Sequence, residues 1–259
     1  MDFIFWALVI AVGLNLAMFI PAYLLKTDRL TDLSYSITFI VLALLGFSQS
    51  AKTSVQFAVL VMVLLWAIRL GGFLFIRINK MKDDSRFDEM RGKFWSFFRF
   101  WFFQGITVFI VLAAALALWR EPASSVGVVS YLGIVVFAVG FALESVADYQ
   151  KFRFSLTKTK DVWIDTGVWR FSRHPNYLGE IMVWVGIYLF AFSSLSSAAR
   201  LLALVSPLYI AAILLFFSGV PLLEKSANKK WGHDQAYKNY KQHVPILIPT
   251  VASLRRLTK

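Results

Sequence analysis

The sequence predicts an all-α, polytopic membrane protein with seven transmembrane helices, the amino terminus outside and the carboxy terminus cytoplasmic. Hydrophobic residues make up 58% of the 259 residues and charged residues only 16%, with a mean hydropathy of +0.65. That is far from the balance of a soluble domain. Apolar stretches near the roughly 20 residues needed to cross about 30 Å of hydrocarbon recur along the chain. Lys and Arg gather in every second loop, as they do on the cytoplasmic side of a membrane.

The spans follow in order. The first, residues 3–25, has no basic region ahead of it and no small-residue cleavage pattern before Lys26, so it reads as a retained span rather than a signal peptide. The second, 33–47, is short; the third and fourth cover 55–78 and 94–119. The fifth, sixth and seventh cover 128–147, 177–195 and 201–223. The chain is expected to form a single membrane domain over residues 1–259, with 224–259 a cytoplasmic tail folding over the mouth of the bundle.

Basic residues set the orientation. Lys26 and Arg29 follow the first span, and Lys80, Lys82, Arg86, Arg91 and Lys93 follow the third. Lys151, Arg153, Lys158, Lys160, Arg170 and Arg173 lie between the fifth and sixth, whereas the opposite side carries only Lys52, Arg120 and Arg200. The net charge of +12 is thereby explained by juxtamembrane loops, and nucleic acid is not an expected partner. The absence of cysteine excludes disulfides, thiolate zinc sites and thiol catalysis. His233 and His243 lack partners at ligand spacing, so no metal is expected. Soluble nucleotide-binding folds are excluded, because no Walker sequence, dinucleotide fingerprint or nucleophile elbow occurs. No internal repeat supports an inverted-repeat transporter.

The chemistry concentrates in Trp169-Arg170-Phe171-Ser172-Arg173-His174-Pro175-Asn176-Tyr177-Leu178-Gly179-Glu180, at the mouth of the sixth span. Pro175 is preset for a first helical turn, whose unpaired amides and dipole favour a negative group held by Arg173 and His174. His174 reads as a phosphate donor or as a base. Asn176 and Glu180, four residues apart, share a helix face. At the end of the fifth span Glu144, Asp148 and Lys151 share another, and the two faces together enclose a polar pocket; solvation at the helix end is the plain alternative for Asp148 and Lys151. Arg69, deep in the third span, and Glu224 after the seventh complete the ionisable candidates, with a structural ion pair or a snorkelling side chain as the alternative for Arg69. The connection 148–175 is long and rich in aromatics, including Trp163 and Trp169, and is expected to be an ordered loop.

The run Ser172-Arg173-His174-Pro175-Asn176-Tyr177-Leu178-Gly179-Glu180, preceded by Glu144 and Ala147-Asp148-Tyr149-Gln150-Lys151 and followed by Ser218-Gly219-Val220-Pro221-Leu222-Leu223-Glu224, Tyr240 and Ile248-Pro249, resembles the steroid 5-alpha-reductase-like membrane proteins, and more narrowly their DUF1295 branch. The resemblance implies a bacterial inner-membrane enzyme that binds NADPH from the cytoplasmic side and delivers hydride to a carbon–carbon double bond of a steroid-, isoprenoid- or fatty-acyl-like lipid. It further implies that Asn176 and Glu180 contact the nicotinamide end, while Asp148, Arg173, His174, Tyr177, Lys151, Arg153 and Lys158 hold ribose and phosphates; Glu144 and Glu224 join this cofactor set. Steroid reductases pair an acid with a tyrosine on their second and third helices. Asp32 falls at the acidic position, but Trp66 stands at the tyrosine position, so Asp32, Trp66 and Arg69 are the catalytic candidates, with Arg69 placed to stabilise a developing enolate. The chain also resembles, more distantly, the isoprenylcysteine carboxyl methyltransferases, which use S-adenosylmethionine and carry two adjacent acids where this chain has Glu224-Lys225. A non-catalytic lipid-binding protein is the third alternative.

Overall fold

The structure is a computed structural model that describes residues 3–81, 90–122, 125–157, 162–250 and 253. The described chain is all-helical. Its helices are α1 (Phe3–Leu24), α2 (Arg29–Ser48), α3 (Ser54–Met81), α4 (Phe94–Val111), α5 (Ala113–Arg120), α6 (Val128–Thr157), α7 (Pro175–Phe192), α8 (Ser197–Ala203), α9 (Val205–Ala212), α10 (Val220–Trp231) and α11 (Gln235–His243).

Among the described residues six helical segments are long and apolar enough to cross a membrane: α1, α2, Ser54–Lys80 of α3, α4, α6 and the run Ser197–Trp231. The protein is a multi-pass membrane protein. The expected sixth span is α7, which carries Pro175, Asn176, Tyr177 and Glu180 in its first two turns and is not among these six.

Three boundaries differ from expectation. The expected span 94–119 turns at Leu112, where the bonds Leu112 N to Val108 O (3.0 Å) and Leu116 N to Leu112 O (2.9 Å) carry the helix through. Helix α6 continues past residue 147 to Thr157, so Lys151 and Arg153 stand on a helix rather than in a loop. The last span is interrupted by a wide π turn over Ile213–Phe217, closed by Ser218 N donating to Ile213 O at 2.9 Å. Gly219 ends that turn because a Cβ there would run into the Leu214 carbonyl oxygen. α10 then restarts with Pro221 in its first turn and carries Glu224 beyond the expected end of the span.

The chain forms two compact units, one built from the described residues of Met1–Gly133 and Ile187–Ser206, the other from those of Ile134–Gly186 and Pro207–Lys259. In the first unit, Ala7, Ala11, Asn15, Phe19 and Ala22 make the buried stripe of α1. The small side chain of Ala11 lets α4 approach, and a Cβ at Gly105 would lie 2.7 Å from the Val12 Cα and 2.8 Å from the Ala11 carbonyl oxygen. Asn15, fully buried, ties three helices: its amide donates to Thr38 Oγ1 at 3.1 Å, while its carbonyl accepts from Ser34 Oγ (3.1 Å) and Gln104 Nε2 (2.8 Å). With lipid outside, such bonds hold helices that apolar contact alone would leave free to slide.

Candidate functional site

In the second unit glycine lets α6 and α7 cross at backbone contact. A Cβ at Gly179 would lie 2.5 Å from the Glu144 amide nitrogen and 2.7 Å from the Gly140 carbonyl oxygen, and one at Gly186 would lie 2.5 Å from the Phe137 amide nitrogen. The crossing brings buried Glu144 beside the turn that carries Asn176 and Glu180.

Beyond α6 the chain is pinned back onto it. Gly167 adopts φ +58°, a left-handed conformation, and Gln150 occupies the space a side chain would need. The Gln150 side-chain Oε1 accepts from Val168 N at 3.0 Å. Trp169, buried in the short 3-10 turn Gly167–Arg170, donates from its indole to the Ala147 carbonyl at 3.1 Å. The Tyr240 hydroxyl in turn donates to the Trp169 carbonyl at 2.9 Å. The amides of Arg173 and His174 donate to the Pro245 and Ile246 carbonyls at 3.0 and 3.1 Å. The carboxy-terminal segment is thereby part of the site rather than a loose tail.

Glu224 is the electrostatic centre. One carboxylate oxygen lies 3.0 Å from Arg173 Nη1 and 3.2 Å from Lys241 Nζ, and the other lies 3.0 Å from His174 Nε2. Three cationic or protonatable groups from the α7 entrance and α11 thus converge on one acid of α10. Lys241 also donates to Asn228 Oδ1 at 2.7 Å. The His174 ring is stacked on Tyr177, with centroids 5.5 Å apart and planes 8° apart. Burial holds the His174 imidazole below its ordinary value, against the opposing pull of Glu224. Burial likewise raises the Tyr237 and Tyr240 phenols, which stay neutral donors.

A cavity of about 290 Å³ opens beside this centre. Its aromatic wall is Trp163, Trp169, Trp231, Tyr237 and Tyr240, and its polar wall is Lys151, Arg173, His174 and Glu224. Ammonium groups sit over several of these rings: Lys151 is 4.9 Å from the Trp169 centroid, Lys230 5.1 Å from Trp231 and Lys241 5.8 Å from Tyr237. The rim is strongly positive.

Of the expected cofactor residues, Lys151, Arg173, His174 and Glu224 meet at this cavity. Glu144, Asp148, Asn176, Tyr177 and Glu180 lie on the adjoining turns of α6 and α7 and do not line it. Arg153 is exposed and turns to its own helix, where its guanidinium donates to the Tyr149 hydroxyl at 3.2 Å. Lys158 lies outside the described residues. The Glu224 oxygens and His174 Nε2 are already engaged with one another, so neither group is the open contact expected of it. The residues that sequence reasoning missed as site components are Trp163, Trp231, Tyr237, Tyr240 and Lys241. Their signal was the spacing of Tyr237, Tyr240 and Lys241 on one helical face.

The catalytic candidates belong to the first unit. The Asp32 carboxylate is paired with Arg77 Nη2 at 3.4 Å. Trp66 is fully enclosed, edge-on to Phe39 with centroids 4.9 Å apart, and offers no surface to a substrate. Arg69 is half-buried one turn later on α3. Among the described residues no group of three or more His, Asp or Glu side chains is gathered for a metal.

A family model described as a protein of unknown function, DUF1295, matches residues 18–244. The chain belongs to that family. It is similar, at 24% identity over 160 residues, to an uncharacterised protein of the fission yeast Schizosaccharomyces pombe. That similarity covers 49% of this chain and 45% of the relative, so the chain spans about half the length of the curated protein it matches. No solved structure matches.

Proposed function

We propose that the protein is an NADPH-dependent membrane reductase acting on a carbon–carbon double bond of a lipid. The supporting observation is the cavity of the second unit, an aromatic chamber with a positive rim. Flat aromatic faces suit a base or nicotinamide ring, and Lys151, Arg173, Lys230 and Lys241 suit phosphates. The polar atoms left over also fit: Arg173 Nε and Trp163 Nε1 are buried donors lacking an acceptor, and Asn176 Oδ1 is a buried acceptor lacking a donor. The donors match phosphate oxygens and the acceptor matches a carboxamide NH₂. At about 290 Å³ the cavity would take one half of a dinucleotide, and Asp148, Glu144, Asn176 and Glu180 would hold the other.

In this reading the bound cofactor supplies the hydride, and the protein supplies grip, orientation and charge. Lys151 and Arg173 hold phosphates, with Arg153 and Lys158 at the outer rim. Asp148 and Tyr177 orient ribose, and Asn176 and Glu180 orient the nicotinamide end. The reading takes α7 as the seventh crossing and places the cavity at the cytoplasmic face of a bacterial inner membrane, in line with the basic-residue pattern.

The same aromatic rings also suit the sulfonium of S-adenosylmethionine. The methyltransferase class carries two adjacent acids, however; here Lys225 follows Glu224, and the Glu224 oxygens are already matched by Arg173, His174 and Lys241. Calorimetric titration of the detergent-purified protein tests the assignment. NADPH is expected to bind more tightly than S-adenosylmethionine. The opposite order transfers the function to a methyltransferase, and binding of neither leaves a lipid-binding protein.

A further inference from the structure

We infer that Glu224 is a positioning residue that fixes His174 as a neutral imidazole protonated on Nε2, and that nucleotide binding in the cavity requires this neutral form. The inference rests on the reading of the cavity as a nucleotide site. It changes the role expected of His174, from phosphate donor to neutral pin.

The geometry determines the tautomer. Nε2 lies 3.0 Å from a Glu224 oxygen, and a carboxylate only accepts, so the proton belongs on Nε2. Nδ1 is enclosed and has no hydrogen-bond partner, so a proton there would be a buried donor without an acceptor. The ring has little freedom to relieve this. It is 5% exposed and stacked on Tyr177, and its backbone amide is tied to the Ile246 carbonyl.

The surrounding charges act in both directions. Glu224 of α10 favours the imidazolium, whereas neighbouring Arg173 and Lys151 of α6 oppose it. Lys241 of α11 spends part of the Glu224 charge, and the Tyr237 and Tyr240 phenols of α11 stay neutral. Burial is the largest influence and favours the neutral ring.

Protonating Nδ1 obliges the ring to leave its enclosure, which breaks the pairing of Arg173 and His174 with Pro245 and Ile246. That pairing anchors the segment after α11, and α11 contributes Tyr237 and Tyr240 to the cavity wall. Acid therefore dismantles the cavity. The binding-competent fraction, and with it the apparent affinity, falls about tenfold per pH unit below the His174 midpoint.

Two measurements on the full chain in detergent test this. In protein labelled with ¹⁵N-histidine, the His174 signals are identified by their loss in His174→Gln. At pH 7 they are expected to show Nε2 protonated and Nδ1 bare, and Glu224→Gln is expected to release that preference. An imidazolium at pH 7, a proton on Nδ1, or no response to Glu224→Gln overturns the inference. The second measurement is NADPH titration followed by tryptophan fluorescence between pH 8 and 5. His174→Gln, whatever its affinity at pH 8, is expected to lose the His-linked fall, so the readout is the slope of its affinity against pH. What remains is the titration of the ligand's own phosphate, near pH 6. An unchanged acid fall in His174→Gln overturns the inference. Absence of NADPH binding to wild type at pH 8 instead overturns the cofactor reading, and the nitrogen spectra then decide the tautomer alone.

Discussion

The α6–α7 crossing is the most exposed mechanical element of the site, and Gly179→Ala measures it. The added methyl carbon would sit 2.5 Å from the Glu144 amide nitrogen, 2.7 Å from its Cβ and 2.7 Å from the Gly140 carbonyl oxygen. Carbon contacts are comfortable at about 3.5 to 4.0 Å, so the two helices must separate by roughly 1 Å. None of the three atoms belongs to a flexible side-chain end, so rotamer adjustment gives no relief. Overpacking of this kind costs about 1–3 kcal/mol. For a chain of this size each kcal/mol lowers the melting temperature by about 2–4 °C, which predicts a fall of about 2–12 °C in thermal unfolding of the detergent-solubilised protein. Gly72→Ala is the matched control: it lies inside α3 with nothing within 4 Å of its added carbon. Removing that glycine is expected to be neutral or stabilising by up to about 1 kcal/mol. Equal melting temperatures for the two variants would refute the close-crossing account.

The remaining predictions concern the pins and charges around the cavity. Glu224→Ala strips the acid from Arg173, His174 and Lys241 and is expected to destabilise the protein by about 2–4 kcal/mol, checked by chemical unfolding; a change under about 0.5 kcal/mol would remove Glu224 from the centre of the site. Tyr240→Phe deletes the bond to the Trp169 carbonyl and should cost about 1 kcal/mol by the same measurement, with NADPH affinity reduced by calorimetry. Because the folded His174 lies below the ordinary histidine value of 6.5, the unfolded chain takes up that proton first; the stability from the neutral ring is complete above about pH 6.5 and is lost as pH falls below it. Melting curves that show no His174-dependent loss between pH 7 and 5, judged against His174→Gln, would contradict this. Asn15→Leu removes the acceptor of Ser34 Oγ and leaves Gln104 Nε2 with the Thr31 carbonyl alone, and is expected to destabilise the first unit by about 1–2 kcal/mol, read as a lower melting temperature.

Much of the fold was legible because hydropathy reports directly on what lipid will tolerate. The helices α1, α2, α3 and α6 start within a few residues of their expected positions. Helix ends were harder to read. The last turns of α6 carry Lys151 and Arg153, so the hydrophobic signal stops while the helix continues to Thr157. The break at Ile213–Phe217 was hidden because Ile, Leu and Phe continue the apolar run whichever hydrogen-bond ladder they adopt.

For the site, the Arg173-His174-Pro175 run pointed, through its residue chemistry, to the turn beside which the cavity opens. The partners of these groups could not be read, since Glu224, Lys241 and the Pro245–Ile246 carbonyls lie about 50 to 75 residues further on, beyond any local periodicity. The roles of Asp32 and Trp66 were placed by spacing alone. Spacing did not reveal that Arg77 pairs with Asp32 or that Trp66 is sealed against Phe39.

The most direct measurement is an experimental structure of the full chain solved with NADPH added at saturating concentration near pH 8. The account predicts nucleotide density against Trp163 and Tyr237, with phosphates on Arg173 and Lys151. Density for the cofactor elsewhere, or a cavity filled by lipid while NADPH is in excess, would contradict it.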